Sequence, residues 1–209
     1  MSFYVERTNT FENCPAGVHL ARCYRIVDLG TQRSQYAGQV KFLHKIMVSW
    51  EVHVIDEDTG QPVLTKKSEP FGIFKNYNLS WDERASLRLD LQSWRGKPFT
   101  QEEMRRFDLK NVLGAYCMIN VIHKSGESGD VFANVSDIMP VPSLVKQKGL
   151  PAPHNPNTIF TLQEPDFDLL ATFSESLQNK IKSSPEYQKL QSAPKAKPPV
   201  EEEDDSIPF

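Results

Sequence analysis

Lysines and aromatic residues are interleaved in the stretch of residues 66–77. Lys66, Lys67 and Lys75 supply positive charge, and Phe74 and Tyr77 supply flat apolar rings. A surface that binds single-stranded nucleic acid needs this combination, because cations follow the phosphates while aromatic rings stack on the bases. Further cations that the sequence offers to such a surface are Arg22, Arg25, Lys41, Lys45, Arg95, Lys97 and Lys124.

Motifs that mark common classes of enzyme are missing from the sequence. There is no glycine-rich phosphate loop, no G-x-S-x-G and no H-E-x-x-H. A nuclease site could be built from Glu51, Asp56 and Asp58, but no pattern in the sequence brings these carboxylates together. We therefore expect no catalytic activity and no cofactor.

The cysteines and histidines give no sign of a metal site. Cys14, Cys23 and Cys117 lack the spacing of a zinc knuckle, and the five histidines form no ligand-type pair. Three cysteines are also not a disulfide framework, which agrees with a reducing compartment. We expect no metal, a cytoplasmic location and, because no long apolar run occurs, no membrane partner.

The net charge of −3 hides a division of charge along the chain. Five of the 27 acidic residues lie in the last nine positions, so 22 acidic residues face 24 lysines and arginines in the rest. The body is therefore slightly basic and the last segment strongly acidic. Such an asymmetry favours a nucleic-acid partner for the body.

The acidic segment closes on residues that suit a recognition peptide. Its last six residues are Asp204, Asp205, Ser206, Ile207, Pro208 and Phe209. The aspartates can steer the peptide to a basic surface, the proline stiffens it, and the phenylalanine with its α-carboxylate suits an apolar pocket beside a cation. The segment resembles the tip of bacterial single-stranded DNA-binding proteins, Asp-Asp-Asp-Ile-Pro-Phe, and departs from it only at the serine. This resemblance implies that the tip recruits replication, recombination or repair proteins of a host or a phage.

The body resembles a family of bacteriophage proteins found in replication or recombination regions. The resemblance rests on residues 15–32 (PAGVHLARCYRIVDLGTQ), 50–51 (WE), 87–88 (LR), 94–97 (WRGK), 99–100 (FT), 107–109 (FDL), 113–114 (LG) and 184–187 (SPEY). It extends over about residues 15–190. It implies a phage single-stranded DNA-binding protein that works in the cytoplasm of a bacterial host.

Alternation of apolar and polar residues predicts the strands. It is clearest in residues 40–55, where Trp50 falls on the apolar face and is expected in the core, while Lys41 and Lys45 fall on the other face. A strand is predicted for residues 17–29, ending at Gly30, with a polar loop over residues 30–38. An extended stretch over residues 66–79 and a hairpin over residues 116–136 complete the set.

Two helices are predicted between the third and fourth strands. The first covers residues 81–94, with Ser80 as its N-cap and Gly96 beyond its C-terminus. The second begins at Thr100, where Glu103 completes a capping box. The fold class that this order indicates is a mainly β, OB-fold-like β-barrel, a five-stranded Greek key with a helix between strands 3 and 4.

The sequence divides into four segments. Residues 1–14 form an N-terminal arm, and residues 15–140 form the OB-like single-stranded DNA-binding domain. Residues 141–190 form a proline-rich connector that is expected to lie over the surface and to carry short helices near residues 166–182 and 184–190. Residues 191–209 have the composition of a disordered tail.

The sequence therefore predicts a protein that binds and protects single-stranded DNA without sequence preference. An annealing recombination protein is the first alternative, because it would also bind single strands but would pair complementary ones. A nuclease and a virion structural protein are less favoured alternatives. The sequence leaves open whether the protein forms a homo-oligomer.

Overall fold

A computed structural model of the chain describes residues 12–36, 38–126 and 129–192 and has a mainly β fold. Its strands are β1 (Gly17–Tyr36), β2 (Gln39–Ile55), β3 (Pro62–Val63), β4 (Phe71–Asn78), β5 (Tyr116–Ser125), β6 (Val131–Met139) and β7 (Thr158–Phe160). Its helices are α1 (Ser86–Arg95), α2 (Gln101–Arg106), α3 (Ser143–Gln147), α4 (Phe167–Ala171), α5 (Glu175–Lys182) and α6 (Pro185–Ser192), and a short 3₁₀ helix covers Leu109–Val112.

The strands form one seven-stranded sheet whose main order is β3-β2-β1-β5-β6. β4 pairs antiparallel with β2 on the side away from β1, and β7 adds to β1 in parallel. Strands β4 and β6 approach each other, but no ladder joins them within the described part of the chain. The sheet is therefore mainly antiparallel and open. Helix α1 packs against both β4 and β6.

The main core lies between the inner face of the sheet and helices α1 and α2. Trp50 is 1% exposed, which confirms its predicted place in the core, and its ring centroid is 6.1 Å from that of Trp94. The even-numbered residues of β2 from Ile46 to Val54 point to this core. Tight packing of these large side chains is the main source of stability that the fold offers.

Strand β1 is longer than the sequence predicts. The strand does not end at Gly30, and the predicted loop over residues 30–38 is instead a paired continuation of β1 as far as Tyr36. Gly30 adopts a φ of 66° and pairs with Lys45 across a register shift, so it makes a bulge rather than an end. Residues 31–36 and 39–45 consequently form a two-stranded extension of the sheet, called here the ribbon.

The first helix begins later than its sequence suggests. Helix α1 starts at Ser86 with Ala85 as N-cap, and the Ser80 hydroxyl instead accepts a hydrogen bond from the Asp82 amide (3.1 Å) in a local turn. The ring of Trp81 packs edge-on against Phe99 and Phe107, which holds this turn outside the helix. The Gly96 end and the Thr100–Glu103 capping box are both confirmed.

A second core covers part of the outer face of the sheet. Its residues are Val27, Leu29, Met47, Phe160, Leu162, Leu170, Phe173 and Ile181, all of them buried. The proline-rich connector therefore does not simply lie over the surface, since its apolar side chains and the unexpected strand β7 pack on β1 and β2. The predicted helix over residues 166–182 is interrupted at residues 172–174, where Phe173 turns into this core.

None of the helices in the described ranges is long and apolar enough to span a membrane.

Candidate functional site

Three residues form one row across the outer face of the sheet. Arg25 of β1 lies opposite Ser49 of β2, and Ser49 lies opposite Phe74 of β4. Side chains of residues opposite each other on neighbouring strands point to the same face. The row therefore places a cation, a hydroxyl and an aromatic ring side by side.

This row forms the floor of a groove of about 470 Å³. Helix α5 and the turn before it form one wall, through Thr172, Phe173, Ser176, Leu177 and Lys180. On the opposite side the groove extends over β4, where Gly72 and Asn76 lie on either side of Phe74. Two cations, Arg25 and Lys180, line the groove, and no carboxylate among the described residues does.

The Arg25 side chain makes no hydrogen bond or ion pair with any residue of the described ranges, and its Nε atom is buried. Its guanidinium carbon instead lies 5.3 Å from the ring centroid of Tyr24 and 5.6 Å from that of Phe173. These rings give some electrostatic compensation but no acceptor. A partly buried cation without a counter-ion is unfavourable by itself, so the groove is electrostatically suited to an anion.

The hydroxyl of Ser49 is a second polar group in the same row that lacks a hydrogen-bond partner among the described residues. Ser49 itself is 2% exposed. A buried hydroxyl without a partner is uncommon and costs free energy. The Ser49 hydroxyl and the Arg25 Nε, on paired residues of neighbouring strands, thus both lack a hydrogen-bond partner among the described residues.

Phe74 presents a ring to solvent at the edge of the groove, with 53% of its surface exposed. Gly72, two residues before it on the same face, leaves open space because nothing lies within 4 Å of where a Cβ would be. A flat ligand can therefore approach the Phe74 ring from that side. The predicted stacking role of Phe74 stays a prediction, and its exposure is compatible with that role.

Cations continue from the groove onto the ribbon. Lys180 lies near Lys45, and its pKa is lowered by burial and by the positive charge of Lys45. The predicted contact residue Lys45 is partly buried near Ser34, and Lys41 farther along β2 is exposed. Residues 29–50 contain no aspartate or glutamate, so the ribbon itself carries only positive charge.

Arg22 does not belong to this surface. Its side chain is buried and forms a 3.2 Å ion pair with Glu51, and it also donates to the Asn155 carbonyl at 3.0 Å. Glu51 in turn accepts hydrogen bonds from the His154 and Asn155 amides. Arg22 therefore holds the connector against the sheet, and its predicted contact with nucleic acid has no support in this placement.

Tyr77 and Lys75 lie on the inner face of β4, which makes the expected stacking on Tyr77 inaccessible. Tyr77 is 3% exposed, and its hydroxyl donates to Asp90 at 2.7 Å. Burial and the nearby Asp90 carboxylate raise the pKa of Tyr77. The Lys75 ammonium pairs with the same Asp90 oxygen at 2.7 Å. Alternation along β4 explains the difference, because Tyr77 comes three positions after Phe74 and an odd offset puts the two side chains on opposite faces.

The other predicted cations lie apart from the groove. Arg95 forms a two-pronged ion pair with Glu103 and lies 4.1 Å from the ring centroid of Phe99. None of the remaining four lines the groove, and all four are exposed: Lys66, Lys67, Lys97 and Lys124. Of the residues predicted to bind nucleic acid, the structure thus brings Arg25 and Phe74 together, with Lys45 and Lys41 along the adjoining ribbon.

Tyr24, Ser49 and Lys180 also line the groove, and none of them was among the residues predicted to bind nucleic acid. Strand alternation did place Ser49 on the face opposite Trp50, and this was a usable signal. Lys180 had no such signal, because only the packing of Phe173 and Ile181 on the sheet brings α5 to the groove. The predicted partner-binding tip, from Asp204 to Phe209, lies outside the described residues.

The cysteines that could have served a metal site are buried, and two of the carboxylates considered for a nuclease site are bonded to neighbouring residues. Cys14, Cys23 and Cys117 are free and buried, and burial raises the pKa of Cys14 and of Cys23 to about 12. Among the described residues, no three histidine, cysteine or acidic side chains group as metal ligands would. Asp56 caps its own turn by accepting from Thr59, and Glu51 is bound to the connector.

The sequence matches no protein-family model, and no curated protein is similar enough to count as a match.

Proposed function

We propose that this protein binds single-stranded DNA without sequence preference through the groove on the outer face of β1, β2 and β4. One observation carries the proposal: an unpaired, partly buried Arg25 and an exposed Phe74 occupy the same row of a groove that no described carboxylate lines. A cation beside an aromatic ring is the pairing that binds a phosphate and its neighbouring base together.

The fold that we propose is a partly open barrel of the OB type. The antiparallel order of β4, β2, β1, β5 and β6, with α1 between β4 and β5, supports it. In this arrangement α1 covers the gap between β4 and β6, where a closed barrel would have a ladder. Single strands commonly bind OB-type barrels on the second and third strands, to which β2 and β4 correspond.

We further propose that the protein acts in phage replication or recombination in a bacterial cytoplasm and is not an enzyme. The acidic segment 201–209 then recruits partner proteins, and this part rests on its sequence alone. Deleting residues 201–209 should abolish the capture of replication or recombination proteins from a host lysate while single-strand binding persists. Unchanged capture would contradict the recruiting role.

The groove is tested with Arg25→Ala, measured by fluorescence anisotropy with a labelled oligonucleotide over a range of salt concentrations. Loss of one phosphate contact should weaken binding and make the slope of log K against log salt shallower by about 0.7. Arg25→Lys should keep the slope but bind more weakly, because an ammonium stacks less well on Tyr24 and Phe173.

Lys110→Ala is the matched control, since Lys110 is an exposed cation beside a cavity that adjoins the inner face of the sheet. It should leave both affinity and slope close to those of the wild type. If Arg25→Ala binds DNA as the wild type does, the groove is not the binding site.

A further inference from the structure

The outer face of β4 and the β2 part of the ribbon form a track that begins at the groove. On β4, Phe74, Asn76 and Asn78 alternate with inner-face residues and are all exposed. On β2, Lys45 and Lys41 lie on the same face as Ser49, but Met47 between Ser49 and Lys45 is buried in the second core, so the exposed surface at that level is Asn76 of β4. The pairing of Lys45 with Asn78 joins the two series into one surface.

This track is bounded on one side and open on the other. The side chain of Gln32 on β1 donates to the Lys180 carbonyl at 2.9 Å, so the end of α5 lies against β1 beside the track. Beyond Lys45, no strand in the described part of the protein pairs with β2 on the side away from β1. A chain-like ligand can therefore lie along β4 and continue onto the ribbon past Lys45.

The charge along the track is of one sign. Arg25 and Lys180 lie at its groove end, Lys45 at its middle and Lys41 at its outer end. The sequence has no aspartate or glutamate in residues 29–50 or in residues 70–81. A ligand that carries negative charge at regular intervals is the kind that gains at every one of these positions.

The length of the track limits how much of a strand it can hold. Ser49, which pairs with Phe74, lies eight positions after Lys41 along β2, and at about 3.3 Å per position this gives a path of roughly 26 Å. Stacked nucleotides are about 3.4 Å apart, so at most about eight would fit, and unstacking on a protein surface lowers that number. Single OB-type domains hold no fewer than about four nucleotides.

We infer that a bound single strand runs from the groove at Phe74 along the outer face of β4 and on to the outer end of the ribbon at Lys41, and that one protein molecule covers four to eight nucleotides. This inference rests on the proposed function, and it adds the path of the strand and the length of the site. The groove is the primary contact, and Lys41 contacts only a strand long enough to reach it.

The experiment measures the affinity of the full chain for labelled oligo(dT) of 2, 4, 8 and 16 nucleotides at fixed salt, with wild type, Lys41→Ala and Arg33→Ala. Arg33 is the matched control, because it is an exposed cation of the ribbon. It pairs with Phe42, so it lies on the face of the ribbon opposite to that of Lys41. Lys41→Ala should lower affinity for the 8-mer several-fold and leave the 2-mer unchanged. Arg33→Ala should match the wild type at every length, and the wild type should gain little from 8 to 16 nucleotides beyond the added binding positions.

Two results would overturn the path while the proposed function stands. One is an equal loss on Lys41→Ala for the 2-mer and the 8-mer. The other is a loss on Arg33→Ala as large as that on Lys41→Ala. Absence of binding at every length, even for the wild type, would instead contradict the proposed function, and the path with it.

Discussion

Two arginines of β1, only three positions apart, have opposite surroundings. Arg22 is buried in an ion pair with Glu51, whereas Arg25 lies in the groove without an acidic partner among the described residues. A register shift between Cys23 and Arg25 places both arginines on the outer face, although simple alternation would separate them. The bulge therefore turns Arg25 into the groove, and no local sequence pattern predicts the bulge.

Replacing Phe74 by alanine tests the aromatic part of the site. Because the ring is exposed and no core residue depends on it, the substitution should leave thermal unfolding unchanged. Binding of single-stranded DNA should weaken by about 1–3 kcal/mol, which is the usual contribution of one stacked base. Anisotropy titrations and thermal melts measure the two effects. Leu89→Ala, at an exposed apolar residue of α1, is the control and should change neither.

Glu51 should make the stability of the protein depend on pH. Burial alone would raise the pKa of this carboxyl, but hydrogen bonds from Asn155, His154 and Arg22 outweigh it and hold the pKa below its ordinary value of 4.5. A lowered pKa in the folded state means that the charged form stabilises the fold above about pH 4.5, and that this stability is lost as the pH falls through the folded-state pKa.

Glu51→Gln should therefore lower the free energy of unfolding by about 3–5 kcal/mol at neutral pH, since it leaves Arg22 buried without a counter-charge. The difference from the wild type should narrow below about pH 4.5. Urea denaturation over a series of pH values measures it, with the exposed Glu83→Gln as control. A constant difference at every pH would show that the charge of Glu51 is not what holds the connector.

At the scale of secondary structure, Gly30 is the point where the C-terminal helices meet the sheet. A Cβ on Gly30 would lie 2.6 Å from the Cβ of Ser184 and 2.8 Å from Leu162. Glu186 at the start of α6 also accepts hydrogen bonds from the amide and hydroxyl of Thr31. The connector is thus fixed to β1 at the base of the ribbon.

Gly30→Ala should destabilise the protein more than Gly60→Ala. Both glycines have nearly the same positive φ, 66° and 67°, so both substitutions carry the same backbone strain. Only Gly30 adds a clash, because nothing lies within 4 Å of a Cβ at Gly60. Thermal melts should show the larger loss for Gly30→Ala, and limited proteolysis should cut α5 and α6 sooner. Equal losses would show that the contact with Ser184 is not tight.

Local patterns predicted the elements that depend on local chemistry. The alternation in β2, the Gly96 helix end and the Thr100 capping box all follow from residues close together in the chain, and all three were found. The second core was not predicted, because it joins Met47 to residues more than a hundred positions later. For the same reason the wall of the groove was not predicted, since Lys180 and the rest of α5 reach the groove only through the packing of that core.

At the scale of the whole molecule, the outer face of the sheet is divided between two uses. The connector covers β1 and Met47 of β2 with apolar side chains, whereas β4 and the ribbon keep an exposed surface that includes Lys41 and the ring of Phe74. The connector thereby forms the wall of the groove that the sheet alone would lack.

The central claim is tested most directly by titrating the full chain against single-stranded and double-stranded oligonucleotides of equal length and following fluorescence anisotropy. We expect much tighter binding to the single strand, because only unpaired bases can reach Phe74, and a steep loss of affinity as salt rises. Equal affinity for single strand and duplex would contradict the account.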